Sequence, residues 1–105
     1  MRQISFDDLR NATTARHHNS ESDGWTLNDW MTALVGEVGE AANIMKKVRR
    51  GDISLDEARP YLSEELGDIQ TYLDILAYKL DIDLGEATRD KFNKVSQRVG
   101  SDVKL

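Results

Sequence analysis

A chain of 105 residues with 39% hydrophobic and 31% charged side chains is the size of one soluble domain, and residues 1–105 are read as a single domain. Its net charge of −5 argues against nucleic acid as a partner, because tracking a phosphate backbone needs a basic stripe. The absence of cysteine excludes disulfides, thiolate nucleophiles and cysteine zinc sites; no apolar run approaches the ~20 residues of a membrane span, and the cytoplasm is the expected setting.

The first element runs from about Ser5 to His18, with Phe6, Leu9, Ala12 or Thr13 and Arg16 at helical spacing and Ser5 as N-cap. Residues Asn19 to Gly24 are polar turn-formers and read as a loop. A second helix opens at Thr26 or Asn28 and carries Trp30, Leu34, Val38, Ala41, Met45 and Val48 at steps of three and four. Lys46, Lys47, Arg49 and Arg50 crowd its last turn, where cations suit the helix dipole, and Gly51 suits its exit. Ser54-Leu55-Asp56-Glu57 has capping-box form and starts a third helix, with a kink expected at Pro60. Its stripe is Leu62, Leu66, Ile69, Leu73, Leu76 and Leu80. Asp83 caps a fourth helix that ends before Gly100. Strand signals are absent, and the expectation is an all-α, four-helix-bundle-like chain. Tyr72, Leu73, Ile75, Leu76 and Tyr78 surround most of the third helix, which predicts a homo-oligomer, dimer or tetramer, with that helix in the interface.

Two acidic pairs stand out. Glu37 and Glu40 lie in Gly36-Glu37-Val38-Gly39-Glu40, and Glu65 and Asp68 lie in Glu64-Glu65-Leu66-Gly67-Asp68. Each pair is spaced i, i+3 and shares a helix face. One such pair alone is ordinary helix surface. Gly36, Gly39 and Gly67 set these pairs apart, because each glycine costs a helix interior roughly 1 kcal/mol relative to alanine. A close helix approach or a bulky ligand would account for them. If the two helices are antiparallel neighbours, four carboxylates converge, and like charges 4 Å apart repel by about 4 kcal/mol at ε ≈ 20. They must protonate, splay or hold cations, and an oxygen-only donor set selects Mg²⁺, with Mn²⁺ able to substitute.

Glu37-x-x-Glu40, then 24 residues, then Glu65-x-x-Asp68 resembles the signature of the MazG-like nucleotide pyrophosphohydrolases, in the all-α NTP pyrophosphatase superfamily. Asn43, Lys46-Lys47 and Arg50-Gly51-Asp52 resemble the continuation of that family's second helix, and Lys91-Phe92-Asn93-Lys94 with Arg98 resembles the tail of its fourth. The resemblance spans about Trp25 to Gly100. It implies Mg²⁺-dependent hydrolysis of a nucleoside triphosphate, ribo or deoxyribo, to monophosphate and pyrophosphate, in nucleotide-pool control or housecleaning.

On that reading Glu37, Glu40, Glu65 and Asp68 are metal ligands, with Glu37 or Glu40 serving the attacking water. Asn43, Lys46, Lys91, Asn93 and Arg98 are candidates for phosphate or ribose. Trp25, outside the core phase, is the candidate to stack on a base, whereas Trp30 is in phase with the core. His17 is a candidate for the base pocket, since related enzymes read the base from this region. Phosphoribosyl-ATP pyrophosphohydrolase shares the resemblance and the chemistry, and a non-enzymatic helical interaction protein is the alternative of a different class. A di-iron bundle needs Glu-x-x-His pairs, which are missing.

Overall fold

Each helix begins where a short oxygen side chain takes up a free backbone N–H. In the computed structural model, which describes residues 2–17 and 24–105, the helices are α1 (Phe6–His17), α2 (Leu27–Arg50), α3 (Leu55–Lys79) and α4 (Leu84–Val99). The amide of Asp8 donates to Ser5 Oγ while the Ser5 amide donates back to Asp8. Thr26 with Asp29, and Ser54 with Glu57, repeat this reciprocal box. Asp83 accepts from the Glu86 amide. Gly51 and Gly100 close α2 and α4 at φ 83° and 75°, a backbone region that glycine enters without penalty. No strand occurs among the described residues. His18 and all of the expected loop but Gly24 lie outside them.

The kink expected at Pro60 is not a break: α3 runs continuously through it. Pro60 is the sixth residue of the helix, so its ring removes only a first-turn bond, to the exposed Asp56.

A four-residue connection folds α3 back along α2, and these two helices form the most extensive packing in the chain. At the end far from that turn, Trp30, Ile75 and Leu76 are buried together, with Leu34 and Tyr72 against them. Helix α1 lies on α3, and α4 packs on α1. The arrangement is therefore a two-helix hairpin with two flanking helices, and one chain leaves the bundle open. Its radius of gyration is 16.5 Å, against about 13 Å for a compact chain of this length.

The apolar stripe of α2 is buried only at Trp30 and half-buried at Leu34, Ala41 and Val48; Val38 and Met45 stay 47% and 46% exposed. The third-helix residues expected at an interface are instead mostly enclosed by this chain's own α1 and α2. Ile75 and Leu76 are buried, and Tyr72, Leu73 and Tyr78 are partly so. The uncovered apolar surface lies elsewhere, on Met31, Val35, Leu66 and Phe92 and along Val99, Val103 and Leu105.

Candidate metal centre and adjoining cavity

The hairpin register sets the acids against one another. Glu40 stands ten residues before the last residue of α2 and Glu65 ten residues after the first of α3; Glu37 and Asp68 are each thirteen away. Two antiparallel helices joined by a short turn bring such positions level. One carboxylate oxygen from each of Glu37, Glu65 and Asp68 lies within 4.8 Å of the others. Glu40 is exposed and sits beside this trio, close enough to act on Glu65 through charge and hydrogen bonding. Three of the four expected acids thus form the tight group, and the fourth stands at its edge.

No lysine or arginine pairs with any of the four among the described residues. Oε2 of Glu37 and Oε2 of Glu65 are buried without a hydrogen-bond partner. The carboxyl of Glu65 is pushed up to about 7 by loss of water around it, then by the neighbouring carboxyls of Glu37 and Glu40. Carboxylate oxygens gathered at one point, two of them without a partner, are the donor set a hard divalent cation requires. The residues fit Mg²⁺ or Mn²⁺.

Asp68 also borders a cavity of about 240 Å³ lined by Arg16, His17, Trp30, Thr71, Tyr72 and Ile75. Around Trp30 the aromatic rings gather: Trp25 at 4.7 Å, His17 edge-on at 5.8 Å and Tyr72 at 6.1 Å between centroids. The ammonium of Lys79 lies 5.8 Å from the Trp30 ring. Trp25 and His17, separated in sequence from the acids, are thereby brought to the same end of the hairpin. Trp30 serves the core as expected, yet also walls this cavity. Its indole N–H has no acceptor among the described residues. Nothing in the sequence assigned Arg16, Thr71 and Tyr72 to the site; their place beside Asp68 depends on how α1 lies across α3.

Asn43 and Lys46 follow Glu40 by three and six positions on α2, and both are exposed. The α4 residues are placed differently. Lys91 and Arg98 are exposed, and Lys91 borders an apolar groove with Phe92, Val95 and Val99. The side-chain amide of Asn93 is engaged by the chain's own tail, donating to the Leu105 carbonyl at 3.1 Å and accepting from the Leu105 amide at 2.8 Å. Because α4 packs on α1, no hydrogen bond or ion pair among the described residues joins it to the four acids. The glycines beside the acids are also unexplained within one chain: a Cβ at Gly36, Gly39 or Gly67 would meet nothing within 4 Å.

This chain is 42% identical over 67 residues, 62% of its length, to the "Gene 37 protein" of Mycobacterium phage L5. It spans 59% of that relative's length. No solved structure matches it. The model of the MazG nucleotide pyrophosphohydrolase domain matches residues 26–100, a span that contains both acidic pairs and the hairpin that aligns them. An oxygen-only trio on two antiparallel helices, walled on one side by aromatic rings, is thus carried by a chain that belongs to the MazG nucleotide pyrophosphohydrolase domain family.

Proposed function

We propose that this protein hydrolyses a nucleoside triphosphate, ribo or deoxyribo, to the monophosphate and pyrophosphate with Mg²⁺ at the acidic trio. The observation that carries the reading is the convergence of Glu37, Glu65 and Asp68 with two buried, unpartnered carboxylate oxygens. When bound there, Mg²⁺ supplies charge compensation for the triphosphate and the departing pyrophosphate. Glu37, Glu65 and Asp68 hold the cation. Glu40, outside the trio and open to solvent, accepts the proton of the attacking water. The new bond joins the water oxygen to phosphorus, and the α–β bridge breaks with its oxygen leaving on pyrophosphate.

Asn43 and Lys46 extend the Glu40 side of α2 and are assigned to phosphate or ribose. The aromatic cavity beside Asp68 receives the nucleoside, with Trp25 and His17 at its edge. Lys91 and Arg98 are phosphate ligands by family resemblance only; Asn93 would have to exchange Leu105 for substrate.

The protein also self-associates in this reading. Its accessible area of 7987 Å² exceeds the ~5,900 Å² of a folded monomer of this mass by about 2,000 Å². Over two chains that excess comes to about 4,000 Å², within the range that obligate homodimer interfaces bury. Light scattering at micromolar concentration should give at least a dimer, and a monomer would remove this part of the reading. The activity is tested by pyrophosphate release from the standard ribo- and deoxyribonucleoside triphosphates with Mg²⁺ or Mn²⁺. Orthophosphate as first product, or turnover without divalent metal, would overturn it.

A further inference from the structure

Asp74 is the one large side chain buried to within 2% in the described residues, and neither the acidic trio nor the apolar core uses it. It sits on α3 with 1% of its side chain exposed, and its partner comes from α1, 64 positions earlier. Arg10 places Nε and Nη2 each 3.3 Å from Asp74 Oδ1, and Nη2 also donates to the Ile82 carbonyl at 2.8 Å. One guanidinium thus ties α1 to two separate elements, helix α3 and the turn that leads to α4. Two anchors in different directions fix the rotation of a helix as well as its position, and only the planar fork of arginine reaches both.

Side-chain burial adds only a modest hold on α1. Phe6, Arg10, Thr13 and His17 recur at helical spacing along the face turned to the rest of the chain, and of these only Thr13 is buried. At the start of the helix Phe6 packs so closely on α4 that a Cβ at Gly85 would meet Phe6 Cβ at 3.2 Å. At its other end, seven residues or about 10 Å beyond Arg10, Arg16 and His17 form the wall of the cavity beside Asp68.

We propose that Arg10 and Asp74 are positioning residues that seat α1 so that Arg16 and His17 set which nucleoside enters the cavity. The inference rests on the nucleotide reading above for the identity of what enters, but the seating of α1 does not. Arg10 and Asp74 touch no reacting group; they act through the helix. Their loss should therefore weaken nucleoside recognition and spare the chemical step.

The test uses Asp74→Asn, Arg10→Gln and Arg10→Lys in the full chain, with two readouts. The first is acrylamide quenching of Trp30 in metal-free protein carrying Trp25→Phe, with helicity checked by circular dichroism. Seating by the pair predicts at least a twofold rise in Trp30 accessibility in Asp74→Asn and Arg10→Gln at unchanged helicity, because His17 no longer covers the indole. Arg10→Lys should fall between these and wild type, since one ammonium replaces only one anchor. The second readout is KM and kcat, without Trp25→Phe, for each standard nucleoside triphosphate with Mg²⁺. A rise of roughly tenfold in KM, with kcat within about threefold and base preference flattened, is expected. Unchanged quenching in both charge-removing variants, or kcat falling with KM unaltered, would overturn the proposal. If the wild type turns over none of these nucleotides, the nucleotide reading fails, and the quenching result alone decides the seat of α1.

Discussion

Within nine residues helix α3 carries carboxylates that meet opposite fates. Asp74 is enclosed, yet its Oδ1 has the Arg10 guanidinium against it. Glu65 and Asp68 face Glu37, and among the described residues no lysine or arginine forms an ion pair with them. The charge of Asp74 is compensated by an arginine, although its Oδ2 is buried without a hydrogen-bond partner among the described residues. Carboxylates that gather without a cationic partner leave negative charge that a divalent cation from solution would offset. The difference lies in what the opposite helix offers: α1 presents Arg10, and α2 presents another pair of acids.

The sharpest way to break the comparison is to remove one charge from each set. Asp68→Asn keeps the shape and should lower turnover roughly 100- to 1,000-fold, as loss of one electrostatic stabiliser does elsewhere, while circular dichroism shows the fold intact. Asp74→Asn should leave kcat within about threefold. Near-wild-type activity in Asp68→Asn would mean that the trio is not the reacting site.

Metal binding gives the next largest effect. A cation that binds only the native trio stabilises it by about 2.7 kcal/mol at one hundred times its Kd, a rise on the order of 10 °C in Tm for a domain of this size. NaCl of matched ionic strength should do far less, because screening is not coordination. Glu65→Gln should abolish the Mg²⁺ shift, and Asp74→Asn should retain it. Equal shifts for Mg²⁺ and Na⁺ would refute the convergence.

In metal-free protein the two sets should respond in opposite directions. Asp74→Asn leaves Arg10 facing a neutral amide and should cost about 2 kcal/mol by urea denaturation, less than for a fully enclosed pair because Arg10 is 24% exposed and rehydrates. Glu65→Gln removes repulsion and should raise the metal-free Tm. A loss of stability in both variants would erase the distinction.

The smallest effect is on pH. The Glu65 carboxyl takes its proton at about 7 when folded and at about 4.5 when unfolded, so between those values the folded chain binds more protons. Stability from this group is present below pH 4.5 and is lost as pH rises through 7. Relative to Glu65→Gln, the metal-free wild type should therefore weaken steadily from pH 5 to pH 8. Mg²⁺ must displace that proton, so its affinity should climb over the same interval. Chemical denaturation and calorimetric Mg²⁺ titration at each pH check both slopes.

Most of what acts within about four residues was legible in the sequence, although Thr26 is one of two cap candidates and α3 runs on through Pro60, where a kink is expected. The caps at Ser5, Thr26, Ser54 and Asp83, the exits at Gly51 and Gly100, and the i, i+3 spacing of each acidic pair follow from local rules, because a helical turn compares a residue only with neighbours three or four away. Helix packing decided the rest. The hairpin brought Glu37, Glu65 and Asp68 together and left Glu40 at the edge, which the shared spacing of the two pairs does not distinguish. Tertiary contact covered Ile75 and Leu76 but not Val38 or Leu66, although all four read alike as apolar helix positions. It turned Asn93 to its own tail and joined Arg10 to Asp74 across 64 residues. Neither pairing leaves a periodic trace, because a polar side chain is suited to water or to a partner equally well until another helix arrives beside it.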